Sequence, residues 1–240
     1  MPRLILSDLH GNLEALEAVL ADAEGLYDRI LCLGDLVGYG ADPNAIVDWT
    51  RNNAAVVVRG NHDKAGAGLD DMETFSPLAR ASGLWTRTVL TPESQSYLER
   101  LPRGPLPYES VNLVHGSPAD EDEYLISVED TLPVRAYLDA RVTFFGHTHV
   151  QGGFLLAQRA AMRIAPAGLL QIEQKYFYLV NPGSVGQPRD GDPRAAYAFY
   201  WPDERKVEFR RASYDIDRAA AKIRAAGLPD FLAARLYEGI

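Results

Sequence analysis

Five histidines, three aspartates and an asparagine stand in short, glycine-flanked segments, and all but His62 and Asp63 are candidates for metal coordination. The segments are Ser7-Asp8-Leu9-His10-Gly11, Leu33-Gly34-Asp35-Leu36, Gly60-Asn61-His62-Asp63, Val114-His115-Gly116 and Gly146-His147-Thr148-His149. No histidine is spent elsewhere in the chain. Two carboxylates, one amide, several imidazoles and no thiolate suit Mn, Fe, Co or Zn better than Ca or Mg, and differ from a structural zinc site. The set exceeds what one ion needs. Two ions about 3.5–4 Å apart, bridged by one carboxylate, would use it fully. Two divalent cations against Asp8 and Asp35 leave a local charge of about +2 before hydroxide binds, which would attract a phosphate group. Taken singly, an Asp-x-His is more often structural, a Gly-Asn-His-Asp could be a turn, and a lone His115 is as often a satisfied core histidine. The ordered set of five is a different matter.

These side chains must be brought together by the elements before them. Each segment follows an apolar, β-rich run: Leu4-Ile5-Leu6, Ile30-Leu31-Cys32-Leu33, Ala55-Val56-Val57-Val58, Val111-Asn112-Leu113-Val114 and Val142-Thr143-Phe144-Phe145. The first sixty residues alternate strand, helix, strand, helix, strand, the signature of a parallel sheet with crossover helices. Strands are predicted over 3–7, 28–33 and 55–59. Leu13, Leu16, Val19 and Leu20 fall at helical spacing after Asn12 as cap, and a second helix starts at Asp42-Pro43. Residues 64–101 read as mainly helical with a restart at Thr91-Pro92-Glu93. Strands resume at 111–115 and 141–145 around a helix near 130–139. In an open α/β sheet ligands bind beyond the carboxyl ends of the strands, where all five segments lie. Asp8 with His10, and His147 with His149, are two residues apart, so in extended chain each pair would point the same way. After residue 150, strands at 152–157, 169–180, 195–201 and 206–212 read as a second, antiparallel sheet, and the tail from Asp215 reads as helical. The expected architecture is α/β: a single domain over 1–240, with two facing mixed sheets flanked by helices.

Composition sets outer limits. The chain of 240 residues is 47% hydrophobic, enough for a substantial core. No run approaches the roughly 20 apolar residues of a membrane-spanning helix, and the start Met1-Pro2-Arg3 shows no secretory pattern. The one cysteine, Cys32, sits in an apolar run and reads as a core thiol. These features point to the cytoplasm. A net charge of −9 and the lack of a basic stripe argue against a nucleic-acid backbone as partner, though not against a small phosphorylated substrate.

The five segments, in order, resemble the motif blocks of the calcineurin-like metallophosphoesterases over roughly residues 1–150. The run Asn181-Pro182-Gly183-Ser184-Val185-Gly186-Gln187-Pro188-Arg189 extends the likeness toward the small bacterial and archaeal phosphodiesterase branch. The resemblance implies that Asp8, His10, Asp35 and His149 hold one metal and Asp35, Asn61, His115 and His147 a second, with Asp35 bridging. It implies a pair of divalent ions (Mn, Fe or Zn), a shared hydroxide attacking phosphorus in line, and His62 as proton donor to the leaving oxygen. Relatives acting on phosphoproteins commonly carry Asp and Arg shortly after the second aspartate, the Asp steadying the acid histidine. Here the stretch is Asp35-Leu36-Val37-Gly38-Tyr39-Gly40, so the usual partner of His62 is missing. Asp63, its neighbour, is expected to point away.

The reading is therefore a dinuclear hydrolase of small phosphodiesters or phosphomonoesters. Alternatives are a dinucleoside polyphosphate hydrolase and a non-catalytic scaffold of the same fold, against which the intact His10, His62 and His149 argue. Arg189, after a glycine-rich turn, could grip a phosphate or form a surface salt bridge. Tyr39, Phe75, Trp85 and Tyr124 could line a pocket, with core packing the weightier reading for each. Asp120-Glu121-Asp122-Glu123 reads as a solvated acidic loop.

Overall fold

The computed structural model describes residues 1–158 and 160–240. In the N-terminal part, β1 (Arg3–Leu6), α1 (Leu13–Asp22), β2 (Arg29–Cys32), α2 (Pro43–Asn53) and β3 (Val56–Val57) alternate as predicted. The Asn12 side chain accepts from the Ala15 amide at 3.1 Å and caps α1. Pro43 occupies the first turn of α2, where its missing N–H costs nothing. Next come α3 (Asn61–Gly66), α4 (Pro77–Val89) and α5 (Pro92–Glu99), the last beginning at the expected restart. The chain continues through β4 (Leu106–Tyr108), β5 (Val111–Leu113), α6 (Thr131–Val134) and β6 (Val142–Phe144). The remainder is β7 (Gly152–Leu156), β8 (Ala161–Ile164), β9 (Leu169–Gln171), β10 (Phe177–Asn181), β11 (Ala195–Trp201), β12 (Lys206–Ala212), α7 (Ile216–Ala225) and α8 (Asp230–Ala234).

Two mixed six-stranded sheets form, in the orders β3-β2-β1-β11-β12-β9 and β4-β5-β6-β10-β7-β8. This corrects the expectation that the late strands make a sheet of their own. They are shared out: β11, β12 and β9 extend the N-terminal parallel sheet, while β10, β7 and β8 extend the sheet of β5 and β6. The run predicted over 169–180 breaks into β9 and β10, which belong to opposite sheets. The polar stretch Glu173-Gln174-Lys175 between them is where the chain crosses over. β4 and β8 were not foreseen.

Alternation along β1 shows how the layers are built. Ile5 joins Leu31, Phe144, Tyr178 and Ala198 in a core that draws on both sheets, while Leu4 and Leu6 face Leu16, Val19, Ile46 and Val47 of the covering helices. A third cluster, with Val134, Phe145, Phe154 and Leu179, covers the outer face of the second sheet. α7 and α8 pack with Tyr39 and Ala79 in a fourth. Cys32 is buried and free, its thiol pushed up by burial. Among the described residues no helix is long and apolar enough to cross a membrane.

Candidate metal centre

The five segments leave the carboxyl ends of β1, β2, β3, β5 and β6 and meet at one end of the sheet pair. The expected pairs converge, but not from extended chain. Asp8, His10, Asp35, His147 and His149 all have left-handed backbone, with φ of 54°, 46°, 54°, 65° and 60°. Such a conformation costs a non-glycine residue on the order of 1–3 kcal/mol and persists where its surroundings dictate it. Here the first two loops dictate each other: the amides of Asp8, His10 and Gly11 donate to the carbonyls of Gly34, Asp35 and Leu36 at 2.9–3.0 Å. The segment after β10 holds a third side. The amides of Val185 and Gly186 donate to the carbonyls of Ser7 and Asp8, and Asn181 Nδ2 donates to the carbonyl of Gly146. Ser184 Oγ donates to the Asp8 carbonyl at 2.8 Å, so Asn181 and Ser184, which sequence reasoning left without a role, are struts of the centre.

Four histidines form two facing pairs whose tautomers are set from behind. His10 Nδ1–H donates to the Val37 carbonyl (2.9 Å) and His149 Nδ1–H to that of Gln187 (2.6 Å). In the neutral rings this leaves both Nε2 atoms as lone pairs, and they face each other at 3.0 Å. The second pair repeats the device. His115 Nδ1–H donates to the Leu33 carbonyl (2.8 Å) and His147 Nε2–H to that of Asp122 (3.2 Å). His115 Nε2 and His147 Nδ1 then lie 3.2 Å apart. Two buried lone pairs at such distances repel each other unless a cation or proton lies between them. Locking the far nitrogen onto a carbonyl is the usual way of orienting a ligating imidazole.

The carboxylates complete both groups. Asp8 Oδ1 lies 3.4 Å from His149 Nε2, and Asp35 Oδ2 lies 3.6 Å from His10 Nε2 and 3.3 Å from His115 Nε2. Asp35 Oδ2 is buried without a hydrogen-bond partner. Asn61 Oδ1 sits 3.1 Å from His115 Nε2. Asp8, His10, Asp35 and His149 could thus hold one cation and Asp35, His115 and His147 another, with Asp35 common to both. Burial pushes the His10, His147 and His149 rings toward neutrality. Burial also opposes ionisation of Asp8 and Asp35, yet His149 holds Asp8 below the ordinary carboxylate range and His115 does the same for Asp35. His115 is raised to about 10: burial works against its charge, but Asp35 outweighs it, so a proton can stand where a cation would. The donor set fits divalent transition ions.

His62 lies beside this centre. Its ring packs against His10, Tyr39 and Phe75 at centroid distances of 5.0, 4.5 and 5.0 Å. Its Nδ1 is buried without a partner, as the missing aspartate implied. Gly38 explains why no carboxylate replaces it: a Cβ there would come within 2.3 Å of His62 Nδ1, at a φ of +87°. Gly38→Ala is therefore expected to cost about 1–3 kcal/mol and to displace the imidazole. Urea denaturation with an unchanged midpoint would show that the ring has room to move.

Asp63 does point away from His62, but the reason is helical, since both lie in α3. Its carboxylate accepts from the amides of Asp35 and Leu36, both at 2.8 Å, and of Gly60 at 3.0 Å. Burial and nearby Asp35 raise it to about 7. It braces the loop carrying Asp35, a role that sequence reasoning missed. Close approach matters here too, because a Cβ on Gly60 would lie 2.1 Å from Asp35 Oδ1.

A cavity of about 450 Å³ opens over the centre, lined among others by Asn61, His62, His147, Tyr39, Phe75, Tyr124, Arg189 and Arg235. Three of the four singled-out aromatics are thus at the site, Tyr124 stacked on His147 at 3.7 Å. Trp85 instead packs in the cluster of α7 and α8. Arg189 donates to Gln187 Oε1 (2.9 Å), its guanidinium carbon 5.5 Å from the Tyr39 ring, and makes no salt bridge among the described residues. The acidic run is not simply solvated: Glu121 is buried and paired with Arg59 at 2.8 Å, and the Asp122 carboxylate pairs with Lys64.

Known proteins share the family and the fold. Residues 1–203 match the model of the calcineurin-like phosphoesterase superfamily domain. An uncharacterized protein of Methanocaldococcus jannaschii is 36% identical over 98% of this chain and 97% of its own. A metallophosphoesterase from Sphaerobacter thermophilus superposes with a TM-score of 0.88 at 40% identity, over 100% of this chain and 99% of that one. A hypothetical protein from Pyrococcus horikoshii shares the fold with a TM-score of 0.83 at 21% identity, over 100% and 98% of the two chains. The protein belongs to the calcineurin-like phosphoesterase superfamily and is a metal-dependent phosphoesterase.

Proposed function

We propose that this chain hydrolyses small phosphomonoesters or phosphodiesters at a pair of divalent transition ions. Asp8, His10, Asp35 and His149 would hold one; Asp35, Asn61, His115 and His147 would hold the other. The observation that carries the reading is the two pairs of facing imidazole nitrogens, 3.0 and 3.2 Å apart, on either side of the unpartnered Asp35 Oδ2. When bound, the ions supply Lewis-acid charge at the phosphoryl group. The other groups are the chain's own. Arg189 faces the same cavity and can receive phosphoryl oxygens. His62 is placed to hand a proton to the leaving oxygen. Burial, helped by Arg189, outweighs the pull of Asp35 and lowers it to about 4, so as a proton donor it draws on the negative charge of bound substrate to favour its protonated form. A cavity walled by Tyr39, Phe75 and Tyr124 suits a small ester better than a folded phosphoprotein.

Metal reconstitution followed by elemental analysis is expected to give close to two ions per chain. With Mn²⁺ supplied, bis-nitrophenyl phosphate or nitrophenyl phosphate should be cleaved well ahead of a phosphopeptide in kcat/KM. One ion or none, or a phosphopeptide preferred by a wide margin, would overturn the reading.

A further inference from the structure

The cavity over the centre holds a second arginine that no motif announced. Arg235 follows α8, in the segment beyond the residue-203 limit of the family match. The packing of α7 and α8 around Leu232, Ala233 and Leu236 delivers it there, opposite Arg189. Neither guanidinium has a side-chain carboxylate within salt-bridge distance among the described residues. Arg189 donates to Gln187 Oε1, and Arg235 Nε to the main-chain oxygen of Ile240, the last residue. Each keeps N–H donors to spare, because a guanidinium has five. The carboxylates of Asp70 and Asp122, which also line the cavity, are both engaged by Lys64. The arginines feel each other: burial first, then Arg189, lowers Arg235 to about 10. Two half-buried guanidiniums that line one cavity, neither paired with a side-chain carboxylate, are placed to donate together to an anion that enters it.

From this pair we infer a second anion subsite beside the metal centre, built by Arg189 and Arg235, that receives a further phosphoryl group on the substrate. The inference rests on the function proposed above and narrows it: the preferred substrate carries two phosphoryl groups, one at the metals and one at the arginines. The cavity of about 450 Å³ lies within the range of small-molecule sites and exceeds what a single phosphate needs. Two phosphoryl groups can be joined directly, as in a phosphoanhydride, or through a short carbon chain, as in a bisphosphate. Both present the same charge to the arginines, and forked N–H donors match phosphate oxygens in either case.

Calorimetric titration of the metal-reconstituted enzyme separates the possibilities without turnover. The probes are orthophosphate, methylene diphosphonate and propane-1,3-diyl bisphosphate, with metal content checked after each titration. At least one two-group probe is expected to bind about 10- to 100-fold more tightly than orthophosphate, as one charged hydrogen-bonding contact would give. The tighter of the two tells which linkage the cavity fits. Arg235→Gln should remove most of that preference while changing orthophosphate affinity much less. Because Arg235 lies at the edge of a helical cluster, Arg189→Gln, on a loop, serves as the second variant and should likewise cut the preference. Equal binding of all three probes by the wild type, or a preference unchanged in both variants, would overturn the inference. Failure of every ester to be hydrolysed would count against the proposed function instead, since the binding preference is read independently.

Discussion

Asp35→Asn is expected to abolish both cation positions together and to lower kcat/KM by about 10³-fold or more. The scale follows from metal charge supplying several kcal/mol of transition-state stabilisation. Asp35 Oδ2 lies within reach of both histidine pairs, 3.6 Å from His10 Nε2 and 3.3 Å from His115 Nε2. Its partner oxygen accepts from the His62 amide at 2.8 Å. An amide can keep that bond, so the loop need not collapse, but it loses the charge that offsets two cations. Folding and metal binding can be told apart by thermal melts. Wild-type protein should melt higher when Mn²⁺ is added, because a ligand bound only by the native state stabilises it. The variant should lose that increment while still unfolding cooperatively without metal. Elemental analysis giving two ions, with activity intact, would remove Asp35 from the bridging position.

His62→Asn is the second large effect: a loss on the order of 10²–10⁴-fold in turnover with both ions retained, the range for general acid catalysis. The imidazole lies outside both ligand groups, and its Nδ1 has no partner. The loss should grow with the basicity of the leaving group, being larger for an alkyl than for a nitrophenyl ester, since nitrophenolate needs little protonation. A uniform loss across leaving groups, or one accompanied by lost metal, would assign His62 a positioning role through Asp35.

What could be read beforehand follows a physical rule. The strand–helix alternation of the first sixty residues was legible because local periodicity and capping decide it, and the candidate ligands were legible because their chemistry is written in residue type. Asp63 escaped because the amides it braces belong to the Asp35 loop, 27 and 28 residues away, while its bond to the nearby Gly60 amide reads locally as an ordinary helix cap. The contact of Gly38 with His62 escaped for the same reason, although the absent aspartate had flagged the position. The pairing of β11 with β1 and of β10 with β6 is decided by tertiary packing, since an alternating strand fits either sheet. Arg235 sits on a helix like any surface arginine, and only its placement across from Arg189 distinguishes it.

The sheet order also bears on how the chain is made. All the candidate ligands lie in the first 149 residues, yet β1 sits between β2 and a strand that begins only at Ala195. While a ribosome is still producing the middle of the protein, that edge of β1 is open and can pair with whatever strand comes by. β6 waits in the same way for β10. The metal-binding half therefore emerges first and is completed last. Folding dominated by such distant pairings is slow and exposed to aggregation, so it is on translation and chaperone handling, as much as on chemistry, that this topology places its demands.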